Sequence, residues 1–163
     1  MTDLPPYTYI PGRSPHPISD PAGHSYGARA DSQASIRDGF EHGLKLFNHG
    51  YYWEAHEAWE GVWIALGRTG PQADFLKGLI KLAACGVKCL EGNETGARRH
   101  LRRASELFNS VKSSLLQIES FNVNLGELTA LMMNLDLDMP VQNTAEQMAM
   151  SSVEPILGLI QTK

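Results

Sequence analysis

The hydrophobic positions of this chain recur at helical spacing over most of its length. Apolar residues from Ile36 to Phe47 recur at spacings of three and four and predict a first helix, with Ser32 as its N-cap and Gly50 as its left-handed stop. A second helix is predicted over residues 52–64, and it ends at the segment 67–71, which contains two glycines and a proline. The pattern therefore predicts two consecutive helices joined by a short turn.

Three further helices follow. Residues 72–90 are apolar around more than half of the helix circumference, which predicts a helix at the centre of the fold. After a turn at Gly92, apolar residues from 97 to 118 follow a regular four-three spacing, which predicts a long fourth helix. Asn124 with Glu127 resembles a capping box for a fifth. No segment alternates like a strand, so the predicted fold class is all-α: one domain, an irregular array of about five helices.

The two ends of the chain differ from this helical body. Six of the nine prolines lie in the first 21 residues, which excludes a regular helix there. Residues 1–30 are predicted to form a proline-rich irregular arm, whose aromatic content favours packing on the helical domain, 31–140. Residues 141–163 are predicted to be a weakly structured segment packed on the domain, with a short helix over 144–150 and an extended end at 155–157.

Composition narrows the class of protein. A length of 163 residues with 42% hydrophobic content suits a single domain. The net charge of −4 makes a dedicated nucleic-acid binder an unfavoured interpretation. Cys85 and Cys89 lie in an apolar segment and are predicted to be small core residues of a protein in a reducing compartment. Without a signal peptide or a membrane-length apolar run, the chain is predicted to be soluble and cytoplasmic, with no membrane partner.

The second helix contains the candidate functional site. It holds all three tryptophans, three glutamates and a histidine. At about 100° per residue, Tyr52, Trp59 and Trp63 share one face. His56 is predicted to project from the middle of that face, with Glu60 one turn later at its edge. Because burying an unpaired polar group costs about 1–3 kcal/mol, such a pair is either hydrogen-bonded internally or functional.

A metal site is the sharper interpretation of this pair. His56 and Glu60, at positions i and i+4, are predicted to coordinate one divalent metal, with Glu57 as the catalytic base. A catalytic zinc site needs a third protein ligand. His16 and His24 in the arm are the candidates. The chain lacks any Glu-x-x-His sequence, so a di-iron carboxylate bundle is excluded.

The predicted pocket around the pair includes Trp53, Glu54, Trp59, Trp63, Lys77 and Lys81. Aromatic residues at helical spacing are more typical of a core than of a ligand wall, and Trp53 is the one most expected to border a cavity. Glu54 is expected to point farther toward solvent. The alternative for the polar residues is a structural network in which the carboxylates pair with lysines or arginines.

Two other sequence features carry less weight. Residues 23–27 match the Gly-x-Ser-x-Gly elbow of hydrolases, which works only between a strand and a helix, so a turn is predicted instead. A basic cluster in the fourth helix consists of Arg98, Arg99, His100, Arg102 and Arg103. No aromatics are interleaved with it, so a solvated face or pairing with the acidic second helix is favoured over RNA binding, while anionic ligands remain open.

The ordered segments YWEAHEAWE (52–60), FLKGLIKLAA (75–84) and GNETGA (92–97) resemble domain of unknown function family 309, a family of small bacterial and archaeal helical proteins. The resemblance covers roughly residues 36–110. It implies an all-α array and no established reaction. Lys81 departs from the pattern, since members often carry glutamine there. The polar positions that the resemblance carries over are Glu54, His56, Glu57 and Glu60.

Two functions from different classes are compatible with these residues. The first is a Glu/His pocket that binds a divalent metal or a small anionic ligand and is hydrolytic. The second is a non-catalytic helix-hairpin scaffold for protein–protein interaction or self-association as a homo-oligomer. A faint repeat at an offset of 42 residues matches Gly50, Ala55 and Val62 to Gly92, Ala97 and Ala104. Stable helix-hairpin arrays need about three copies, and a third is absent from the sequence.

Overall fold

The computed structural model describes residues 4–28, 35–143 and 153–163, so the helix predicted over 144–150 lies outside the described residues. Within these ranges there is no strand, which confirms the all-α class. The helices are α1 (Ile36–Asn48), α2 (Tyr52–Ala65), α3 (Pro71–Leu90), α4 (Glu94–Ser110), α5 (Leu115–Ile118) and α6 (Leu125–Leu137). None of the helices in the described part combines the length and the apolar character that a membrane span requires.

Local chemistry sets most helix boundaries. Ser35 caps α1, because its side chain accepts a hydrogen bond from a backbone N–H of the first turn. The predicted cap, Ser32, lies outside the described residues. Gly50 adopts φ 87° in the turn after α1, as predicted, and a proline begins α3. The Asn124 side chain accepts a 3.1 Å hydrogen bond from the backbone N–H of Glu127, as the capping pattern predicted.

Helix α3 lies at the centre of the fold, as its apolar circumference predicted. It packs against α2 on one side and α4 on the other, while α1 packs against α2. Two of its glycines permit this close approach. A methyl group added at Gly86 would overlap the ring of Tyr52 in α2, and one added at Gly78 would overlap the ring of Phe108 in α4. The two cysteines of α3 are free, buried thiols, which confirms that they are core residues.

Helix α4 ends earlier than its apolar spacing predicts. The regular seam was expected to continue to residue 118, but the helix ends at Ser110 and gives way to two 3₁₀ turns that flank α5. The Ser110 hydroxyl donates a 2.7 Å hydrogen bond to the carbonyl of Leu107. Serine side chains compete in this way for backbone groups and favour turns over continued helix. As a result Leu115, a predicted seam residue, is 51% exposed.

The C-terminal segment, residues 153–163, lies against the first two helices. The backbone N–H of Leu157 donates a 2.9 Å hydrogen bond to the hydroxyl oxygen of Tyr52. Asn48 exchanges two hydrogen bonds with the backbone of Ile160, at 2.8 and 3.0 Å. The end of the segment also forms an isolated antiparallel bridge between Thr162 and Val123, with backbone hydrogen bonds to residues 122 and 124. The segment is therefore attached to the body by polar side chains and by backbone hydrogen bonds.

Candidate functional site

The polar residues of α2 lie on two different sides of the helix. The buried face of α2 is formed mainly by Tyr52, Ala55, Trp59 and Val62. His56 lies at the edge of that face and is 29% exposed, so the expectation that it projects from the middle of the aromatic face is corrected. The buried face of α2 is centred near Ala55 and Trp59, rather than between Trp59 and Trp63 as the tryptophan spacing suggested. The expectation for Glu54 is also corrected, because its carboxylate is buried, at 6% exposed.

The side chains of His56, Glu57 and Glu60 form a compact group, which we call the His/Glu cluster. One ligand atom from each of the three lies within 4.8 Å of the other two. The Nδ1 atom of His56 is 3.3 Å from Oε1 of Glu57, and the Glu57 side chain is 40% exposed. Residues four apart lie one turn apart on a helix, which places Glu60 beside His56. This group of one imidazole and two carboxylates can hold a divalent metal ion.

The histidines of the arm lie elsewhere. The Nε2 atom of His24 is 3.2 Å from Oε1 of Glu54, and its Nδ1 is 2.9 Å from the hydroxyl of Ser25. Nδ1 of His16 accepts hydrogen bonds from the backbone N–H groups two and three residues later. The His16 ring packs edge-on to Trp53, with 5.4 Å between ring centroids. The structure brings neither histidine to the His/Glu cluster, and Trp53 is covered by the arm.

The arm is attached to α2 through Glu54. Oε2 of this carboxylate accepts a 2.8 Å hydrogen bond from the Thr8 hydroxyl, and Oε1 accepts one of the same length from the backbone N–H of Tyr9. His24 provides the third polar contact. A buried carboxylate needs this number of partners to offset its loss of water. The burial of Glu54 could not be predicted from the sequence, because its partners lie in an irregular segment with no periodicity.

The remaining tryptophans have different environments. Trp59 is fully buried, and its indole N–H donates a 3.2 Å hydrogen bond to the carbonyl of Phe40, so the structure places it in the core. Trp63 is half-buried and lies on the same side of α2 as Glu60, one turn later. The Lys77 ammonium lies 5.8 Å from the centre of its ring, within range of a cation–π interaction. Trp63 therefore lies on the side of α2 that carries Glu60, with Lys77 against its ring, whereas Trp59 belongs to the core.

A comparison with known families covers this region of the chain. Residues 40–100 match the family model Domain of unknown function (DUF309). The match confirms the resemblance to this family over this span, which we call the DUF309 segment. It contains α2, α3, the His/Glu cluster and Glu54, while the arm and residues 101–163 lie outside it. No curated protein matches the chain. The family description names no activity.

His100, at the end of the DUF309 segment, lies near His56 of the cluster. Its place there was not predicted from the sequence. His100 of α4 is half-buried, and burial lowers its pKa below the ordinary value of 6.5. The neighbouring side chains of Lys81, Lys88, His56 and Arg99 lower that pKa further, in that order. Because α2 and α4 pack on the same central helix, His100 comes close to His56. Linear spacing along the chain contains no signal of this proximity.

Proposed function

We propose that the protein binds a divalent metal ion through His56, Glu57 and Glu60. The observation that carries the proposal is the clustering of three ligand atoms within 4.8 Å of one another. A single ion can contact three atoms at this separation after small side-chain adjustments. Imidazole nitrogen and carboxylate oxygen are ligands that suit zinc and, with more water, manganese. The partial exposure of the cluster gives an ion a route from solvent.

The carboxylates of Glu57 and Glu60 are better suited to binding a cation than to a structural role. Glu60 makes no hydrogen bond or ion pair with any other residue in the described part of the chain, and Glu57 contacts only His56. Like charges one turn apart on a helix destabilise it by about 0.2–0.5 kcal/mol. A bound cation would remove this repulsion.

The surroundings of the cluster favour an anionic co-ligand and a hydrolytic reaction. Lys81 and Arg99 place positive charge around His100, close to the cluster. These cations would attract a carboxylate or phosphate that also contacts the metal. A divalent cation lowers the pKa of water in an open coordination position and polarises a bound carbonyl or phosphoryl oxygen. Glu57 has a second carboxylate oxygen, which would remain free to accept a proton there.

Metal binding by the tag-free protein tests the proposal. The metal-free protein is titrated with zinc and manganese by calorimetry, and bound metal is counted by elemental analysis. We expect one ion per chain, bound at least about tenfold more weakly by His56→Ala and by Glu60→Gln. His42→Ala and Glu41→Gln are the matched controls, because both residues are exposed on α1.

The controls should bind metal like the wild type. The free energy of unfolding of the metal-free His56→Ala and Glu60→Gln proteins should stay within about 0.5 kcal/mol of the wild type, as for other surface substitutions. Unchanged metal affinity in both site variants would exclude this site. If metal binds as expected but no ester or phosphate ester is hydrolysed, the binding function stands and the hydrolytic one is rejected.

A further inference from the structure

The four arginines of α4 do not form one surface. Arg98 and Arg102 line a cavity between α4 and α6. Arg99 lies among the cations around His100, on the side of the metal site. Arg103 pairs with a glutamate three residues later on the same helix, at 2.9 Å. The basic cluster seen in the sequence is therefore divided, and one part of it faces a cavity that the metal site does not use.

This cavity has a volume of about 440 Å³, within the range of small-molecule sites. Its residues on α4 recur three and four apart, so they form one face of that helix. The floor is apolar and consists of the buried residues Leu101, Phe108 and Met132. Arg102 and Lys112 are exposed at its rim. The cavity thus combines an apolar floor with a cationic rim.

The cations of the rim differ in whether they are already paired. Arg98 donates to Glu94 at 2.9 Å and to the carbonyl of Asp136 at 3.2 Å. It also lies 3.9 Å from the Asp136 carboxylate, which is the acidic group of the cavity. Arg102 and Lys112 form no hydrogen bond or ion pair with any residue that the structure describes. Although the whole chain has a net charge of −4, this rim has an excess of positive charge.

We propose that the cavity between α4 and α6 binds a small organic carboxylate with an unbranched apolar chain. The carboxylate would pair with the guanidinium of Arg102, whose planar donors match both of its oxygens. The chain would cover the apolar floor formed by Leu101, Phe108 and Met132. Lys112 lies beyond the end of α4, in the 3₁₀ turn that follows it, and adds to the positive charge of the rim.

Decanoate is a suitable probe, with decanol as its uncharged counterpart. Binding is measured by calorimetry on the full chain. We expect decanoate to bind saturably at one site, and Arg102→Ala to weaken that binding at least about tenfold. Decanol should bind more weakly than decanoate and equally to both proteins. Arg103→Ala is the matched control, because it removes the same charge from the same helix outside the cavity, and it should change decanoate affinity less than about twofold.

A second variant tests the apolar part of the site. Ser105 lines the cavity and is half-buried, so Ser105→Phe should fill the cavity and abolish decanoate binding while circular dichroism shows an intact helical fold. Zinc affinity should be the same in Arg102→Ala as in the wild type, because the two sites share no residue. Equal loss of decanoate affinity in the Arg103 and Arg102 variants would overturn the proposal, as would the absence of saturable binding.

Discussion

Two sides of one helix carry carboxylates with opposite environments. On one side of α2, Glu54 is 6% exposed and has three polar partners from the arm. On the other, Glu60 is half-buried and has no hydrogen bond or ion pair within the described residues. Both residues belong to the same short run of sequence. A structural carboxylate therefore differs from a candidate ligand in the partners that the rest of the chain supplies, and not in residue type.

The geometry of the helix explains this division. Glu60 follows Glu54 by six residues, which places it about 120° away around the helix axis. The arm covers α2 on the side of Glu54, where the rings of Tyr9 and His16 also pack on Trp53. The cations of α3 and α4 lie on the side of the His/Glu cluster. Each side therefore contacts a different part of the chain. Substitutions on the two sides should change the free energy of unfolding by different amounts.

Glu54→Ala should have the largest effect on stability. The substitution leaves the Thr8 hydroxyl and the Tyr9 N–H without their acceptor and removes the partner of His24. Breaking a buried charged network of this kind costs about 3 kcal/mol of unfolding free energy. Urea denaturation followed by circular dichroism measures the change.

Glu57→Ala is the control for that experiment. It removes the same side chain from the same helix, but Glu57 is 40% exposed. Its free energy of unfolding should stay within about 0.5 kcal/mol of the wild type. If the two alanine variants lose equal stability, the division of α2 into a structural and a binding side is wrong.

The parts of the structure that the sequence predicted are those with local causes. The helix boundaries at Gly50 and Asn124 follow from turn and capping chemistry within a few residues. The central position of α3 follows from its apolar circumference. His56 and Glu60 lie close together, as their spacing of one helical turn indicates.

The parts that escaped prediction depend on contacts between distant segments. Glu54 is buried by Thr8 and His24, which lie 46 and 30 residues away in an arm with no hydrophobic period. His100 approaches His56 only because α2 and α4 pack on the same helix. Packing of this kind leaves no periodic trace in a single sequence.

Tyr52→Phe should have a smaller effect than Glu54→Ala. Burial raises the pKa of the Tyr52 phenol, and its oxygen accepts the hydrogen bond of the Leu157 N–H. Removing the hydroxyl leaves that buried N–H unpaired and should cost about 1–2 kcal/mol. Amide hydrogen exchange should show faster exchange at Leu157. Tyr26→Phe is the control, because Tyr26 is exposed, and it should leave both quantities unchanged.

The smallest effect is expected at His100, on the side of the cluster. Since burial and neighbouring cations lower its pKa below 6.5, the unfolded chain binds a proton at His100 more readily than the folded chain does. The contribution of His100 to stability is therefore present above pH 6.5 and is lost as the pH falls below it. His100→Gln should make unfolding less sensitive to acid in this range. Because the side chain is half exposed, solvent screening keeps the change small.

NMR titration of His100 in variant proteins measures how much a neighbouring cation lowers its pKa. Lys81→Gln removes a positive charge that lowers this pKa, so the pKa should rise toward 6.5. Lys45→Gln removes the same charge from α1, which is not among the groups acting on His100, and should leave the pKa unchanged. An equal shift in both variants would mean that His100 senses only the net charge of the protein. A shift confined to Lys81→Gln would show that α3 and α4 share one cationic field beside the His/Glu cluster, whereas Glu54 lies outside it.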